Sequence, residues 1–180
     1  QPYNPQGESF NLCKLLAGSE GTLAFTTEIK LNLIDLPPKE IAVVCIHCNS
    51  IVEAMRANIV ALQHKPMAGE LVDKYIMDFT TGHPEYSKNR FFIEGDPAAI
   101  LMVEFMEHDH EVVRTKAEGL VNDLRQQQLG FAWPVLYNEQ SKYAWDVRKA
   151  GLGLLRNIKG DAQPVNLIED CAVTTDDLPA

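Results

Sequence analysis

From residue 40 onward the spacing of apolar positions switches several times between strand and helix. EIAVVCIHC (40–48) is a nearly continuous apolar run of strand length. NSIVEAMRANIVALQHK (49–65) then places Ile51, Ala54, Met55, Ile59 and Leu62 on one helical face, with Asn49 or Ser50 as the cap. AGELVDKYIMDF (68–79) reads as a short strand passing into a turn of helix, and 80–97 reads as loop, in which RFFIEG could extend a strand. AAILMVEFM (98–106) is a strongly apolar strand. DHEVVRTKAEGLVNDLRQQQ (109–128) is an amphipathic helix capped by Asp109, with Val112, Val113, Leu120, Val121 and Leu124 inward. FAWPVLYN (131–138) follows as a strand, and 139–157 as a helix carrying Gly151 and Gly153 near its end.

The order strand, helix, strand, strand, helix, strand predicts an α+β, ferredoxin-like antiparallel sheet. Its strands fall near 40–48, 68–74, 98–106 and 131–137, with two helices, near 50–64 and 110–127, on one face. Upstream the pattern differs. Residues 1–8 are turn-formers, SFNLCKLLAGS predicts a short helix with Ser9 as N-cap and Gly18 near its stop, and TLAFTTEIKLNLI (22–34) alternates as a strand. Pro37-Pro38 continues neither element and marks the boundary.

Composition narrows the class. With 46% apolar and 23% charged residues, 180 residues suffice for one good core, or for one domain with a piece of another. A net charge of −9, without a Lys/Arg cluster, argues against a nucleic-acid partner. No apolar run has the length of a membrane span. Four scattered cysteines do not make a disulfide scaffold, and reduced thiols point to a cytoplasmic setting. The chain starts at Gln1, which suggests processing or excision from something longer.

Candidate chemistry is sparse. The turn Gly18-Ser19-Glu20-Gly21-Thr22 offers unhindered N–H groups and two hydroxyls suited to an anionic ligand, or is simply a loop entering a strand. Cys45 and Cys48, three apart on a strand, point to opposite faces and cannot chelate together, so they read as core thiols. In EHDH (107–110), Asp109 reads as a helix cap and the histidines as solvated turn residues; no metal site is expected. Glu169 and Asp170 could face a cleft or serve strand-edge solubility. Arg148 is either a solvated helix arginine or a bidentate holder of a carboxylate.

Four blocks, in order and the last in two parts, resemble FAD-linked oxidases of the vanillyl-alcohol-oxidase type. LLAGSEGTLAFTTEIKLNL is similar to the end of their FAD-binding domain, although Ala24 stands where glycine is commoner. AVVCIHCNSIVEAMRAN and AILMVEF resemble the opening strand and helix and the central strand of their substrate (cap) domain. WDVRKAGLGLL and PVNLIEDCAVTTDDLP resemble the Trp-x-x-Arg helix and the Glu-Asp-x-Ala-Val segment of that domain. The nearest type is the D-lactate or glycolate dehydrogenase.

This resemblance implies an oxidoreductase that takes a hydride from a D-2-hydroxy acid onto FAD. Residues 1–36 would be the end of the FAD-binding domain and 37–180 the first part of the substrate domain. Residues 18–22 would line the cofactor, and Arg148 would hold the substrate carboxylate. The residue one turn later is Leu152, where hydroxyglutarate members tend to carry Thr. The catalytic base, the family's metal-binding His and Glu motifs and any fused or partner iron–sulfur region would lie outside these residues. The chain alone is then expected to be inactive. The competing reading is a free-standing ferredoxin-like module that binds a small ligand or a protein without catalysis.

Overall fold

The computed structural model describes residues 11–155 and 172–179. The chain divides into two compact units, 1–36 and 37–180.

In the first unit helix α1 spans Leu12–Ala17. Its N-cap is Asn11, whose side chain accepts from the Cys13 N–H at 3.0 Å; the expected cap, Ser9, lies outside the described residues. The strand expected over 22–34 does not form. Phe25, Leu33 and Ile34 are 92–94% exposed. Alternation supplies a strand with a face, but its backbone N–H and C=O groups still need a ladder partner. Among the described residues of this unit no other strand exists to provide one.

The second unit carries the antiparallel α+β sheet that the sequence predicts. Strands β1 (Glu40–Cys48), β2 (Ala68–Asp73), β3 (Ala99–Glu107) and β4 (Val135–Tyr137) stand in the order β2-β3-β1-β4, all neighbours antiparallel. This is the ferredoxin-like order. The β1–β3 ladder runs unbroken from Glu40 opposite Glu107 to Cys48 opposite Ala99. The strand expected at 131–137 is shorter than its pattern. Ala132 pairs with His47 in the register of Val135 opposite Val44, but Pro134 between them has no N–H to donate, so the regular ladder starts at Val135.

Both expected helices lie on one face. They are α2 (Ile51–Gln63) and α4 (His110–Gln126), packed on Ala42, Val44, Ile46, Leu101, Val103 and Phe105. Ser50 caps α2 and Asp109 caps α4. On α2 the inward stripe is Ala54, Ala57, Val60 and Ala61, while Ile51 and Leu62 are exposed. This corrects the expected face. Three alanines let the helix axis approach the sheet closely, and the bulkier Ile51 and Leu62 turn to the flank. On α4, Val112 is likewise exposed and Ala117 takes its place.

The one-face description needs extending, because the opposite face is covered as well. There α3 (Lys74–Thr80), a 3₁₀ turn at Ser87–Phe92 and α5 (Glu139–Leu155) close over Val43, Cys45, Val72, Ile100, Met102 and Leu136. RFFIEG thus enters a 3₁₀ turn, not a strand, and sends Phe92 into this second core. The central strands are apolar in both phases because both faces are buried.

Two constraints in this unit can be measured. A Cβ on Gly151 would lie 2.8 Å from Ile76 Cδ1 and 3.2 Å from Cγ2, whereas at Gly153 nothing described lies within 4 Å. Gly153→Ala should therefore add roughly 0.5–1 kcal/mol of stability through helix propensity. Gly151→Ala should lose that gain and destabilise by about 1 kcal/mol through crowding of the α3–α5 crossing. Denaturant unfolding of the two variants checks this; equal stabilisation would show the crossing to be loose.

The second constraint is His47, fully buried, with Nδ1 2.9 Å from the Cys45 carbonyl and Nε2 accepting from the Glu94 N–H at 3.1 Å. An accepting Nε2 leaves the proton on Nδ1, so the ring is neutral. Burial holds its pKa below the ordinary 6.5, outweighing the backbone hydrogen bonds that raise it. Below that value the unfolded chain binds more protons than the folded one, so stability is full above about pH 6.5 and falls as pH drops through the lowered folded value. His47→Gln should flatten that part of a stability-versus-pH curve. An unchanged slope would assign it to other groups.

Candidate functional site

Helix α5 places the Trp145-x-x-Arg148 pair on the second face of the sheet. A spacing of three residues puts both side chains on one side of the helix, and each meets a carboxylate. The Trp145 indole N–H donates to Glu104 Oε2 at 2.7 Å. Arg148 Nε forms an ion pair with Glu70 Oε2. Glu70 stands opposite Met102 on β3 and Glu104 opposite Ala68 on β2, so the two carboxylates are diagonal neighbours on one sheet face. Arg148 is 47% and Glu70 37% exposed, and the pair is open to solvent.

Glu70 and Glu104 were not expected to matter. Their signal was nonetheless in the pattern. Glu70 is in phase with the inward Val72, and Glu104 with Ile100 and Met102, so each puts an acid where the alternation calls for an apolar residue. An acid in that phase needs a cationic or N–H partner, and α5 brings one to each.

The other expected site residues lie in the first unit. Ser19 to Thr22 forms a tight turn, with the Thr22 N–H donating to the Ser19 carbonyl at 2.9 Å and positive φ at Glu20 (50°) and Gly21 (77°). Its hydroxyls are already committed, since Ser19 Oγ donates to the Leu16 carbonyl at 2.8 Å and Thr22 Oγ1 to the Ser19 carbonyl at 2.6 Å. Among the described residues the N–H groups of Glu20 and Gly21, at the tip, have no acceptor. A Cβ at Gly18 or Gly21 would touch nothing described within 4 Å, so a ligand can approach the backbone closely. The turn follows the carbonyl end of α1, whose partial charge favours cations. Any pull on an anion therefore comes from the two tip amides.

Cys45 and Cys48 lie in the two different cores, on opposite faces of β1. Burial raises both thiols, Cys48 to about 12, with the Glu53 charge adding to the effect, and Cys45 further still; neither is a ready nucleophile. In the EHDH stretch, Asp109 caps α4 and His110 pairs with Glu40 at 3.2 Å. Among the described residues no cluster of three or more His, Cys, Asp or Glu has metal-binding geometry. Glu169 and Asp170 lie outside the described residues. No described helix is long and apolar enough to cross a membrane.

The topology and this helix-on-sheet flank define a ferredoxin-like α+β domain with a Trp-x-x-Arg helix laid over two strand acids. Residues 37–180 match the family of FAD linked oxidases, C-terminal domain, and the chain belongs to that family. It is 27% identical, over 94% of its length, to a D-2-hydroxyglutarate dehydrogenase of Pseudomonas putida, and covers 17% of that protein. It is 29% identical, over 98% of its length, to D-2-hydroxyglutarate dehydrogenases of Haemophilus influenzae and of Escherichia coli, covering 18% of each. The chain thus spans under a fifth of the length of these curated relatives. Membership in this enzymatic family does not favour a free-standing, non-catalytic module.

The turn geometry bears on cofactor affinity. Even with both tip amides on the cofactor, hydrogen bonds worth about 1 kcal/mol each would fall far short of the several kcal/mol of rigid-body freedom that binding costs. These 180 residues alone should be colourless as isolated, and a titration with FAD followed by the shift of the flavin absorbance band or by calorimetry should show no binding. Stoichiometric micromolar binding would refute this accounting.

Proposed function

We propose that this chain is part of an FAD-dependent oxidoreductase that oxidises a D-2-hydroxy acid, with Arg148 holding the substrate carboxylate. In this reading residues 1–36 end the FAD-binding domain and 37–180 begin the substrate domain. What carries it is the family match over 37–180 together with an accessible guanidinium on the Trp-x-x-Arg helix.

Oxidation at the hydroxyl-bearing carbon removes a hydride from carbon and a proton from oxygen. FAD, when bound, supplies the acceptor for the hydride. The residues present fit one edge of such a group: the Glu20 and Gly21 amides are uncommitted, and Gly18 and Gly21 leave the backbone uncrowded. Arg148 contributes orientation, because a guanidinium forks a carboxylate and fixes the position of the adjacent carbon. The proton would go to a base outside these residues, and an iron–sulfur region in a fused or partner part, where present, would supply the electron acceptor. The substrate class is the D-2-hydroxy acid head itself; D-lactate, glycolate and D-2-hydroxyglutarate are the arms that sort its tail, the last suggested by the names of the relatives.

In the full-length enzyme Arg148→Lys keeps the charge but loses the fork. Steady-state kinetics on the three acids should show kcat/KM lowered by about 10–1000-fold for the preferred one, with flavin content unchanged. Unaltered kinetics would leave Arg148 as a surface partner of Glu70.

A further inference from the structure

The contact between Glu70 and Arg148 says more than that a surface ion pair exists. Arg148 leaves α5 on the flank facing β2, and the helix there is pinned to β3 through the indole N–H of Trp145 on Glu104. The origin of the arginine side chain is therefore fixed by a hydrogen bond three residues away. Its far end meets Glu70, and the contact is at Nε. A guanidinium is a planar fork with two usable edges, and an acid at Nε leaves the Nη1–Nη2 edge to take a second carboxylate bidentately. A long arginine side chain free in solvent would have to be ordered by each ligand that binds it, and a side chain already held loses less on binding.

We propose that Glu70 is a positioning residue, which holds Arg148 with its outer edge turned to the carboxylate of a 2-hydroxy acid. This rests on the reading of Arg148 given above. Glu70 also has a cost: it sets a negative charge beside an anion site and could act purely as a competitor for Arg148. The two roles predict opposite signs. A positioning acid makes substrate binding tighter, whereas a competing acid makes it weaker.

The experiment is steady-state kinetics of the full-length, flavin-loaded enzyme with its preferred 2-hydroxy acid, for Glu70→Gln, Glu70→Asp, Arg148→Lys and the Glu70→Gln/Arg148→Lys double variant. Thermal unfolding and flavin content are measured on each. The expected result is a KM raised about 3–30-fold in Glu70→Gln, with kcat within about threefold, flavin content and melting temperature unchanged, and part of the loss recovered in Glu70→Asp. Adding Glu70→Gln to Arg148→Lys should cost little more, because the two act as one unit. If Arg148→Lys is impaired while the KM of Glu70→Gln is unchanged or lower, positioning is refuted and the reading of Arg148 stands. A Glu70→Gln variant that loses stability or flavin, with kcat and KM moving together and no rescue by Asp, refutes positioning in favour of a structural role. If Arg148→Lys is itself unimpaired, the reading of Arg148 fails and the role of Glu70 fails with it.

Discussion

The second unit depends on the pairing of β1 with β3. Nine residues of each strand face one another without interruption, and both faces of the pair are buried. Even positions of β1 join one core with α2 and α4, while Val43 and Cys45 join the other with α3, α5 and the 3₁₀ turn. A slip of one residue would exchange the two sets of side chains. It would put Val43 and Cys45 under the alanine face of α2, and Ala42 and Val44 under α5. One ladder therefore sets the register of two cores at once.

The same ladder places the candidate site. Glu104 belongs to β3, and Glu70 to β2, which among the described residues pairs only with β3. Their position relative to α5 follows from where β3 sits. At this flank the strand phase that elsewhere carries Ile100 and Met102 carries an acid instead. An indole N–H and a guanidinium meet these acids, and they tie helix to sheet. The arrangement keeps a cation at the solvent boundary and gives it an acidic partner, a combination that would suit the carboxylate-holding role proposed for Arg148.

How far the sequence could be read differed between the parts of the chain. β1 and β3 were legible as apolar runs, α4 by its helical period, and Asp109 as a cap by its place before that period. Arg148 could be singled out as a residue on the Trp-x-x-Arg helix, but its partner could not. Glu70 lies 78 positions away on another element, and only folding brings them together. On α2 the largest apolar residues suggested one face and the structure chose another, because close packing against a sheet favours Ala54, Ala57 and Ala61 over Ile51 and Leu62.

The sequence by itself determined the elements whose information is local: period, caps, the break at Pro37-Pro38, the opposite facing of Cys45 and Cys48, and the family blocks. It could not decide whether 22–34 is a strand, since a strand is completed by hydrogen bonds to a partner that local alternation does not specify. It also could not show that α3 and α5 close the second face, or that Gly151 is the point where they cross. Those outcomes depend on which surfaces meet. Tertiary structure decides them because burial and ion pairing are properties of two segments at a distance, and the pattern of one segment records only its own half.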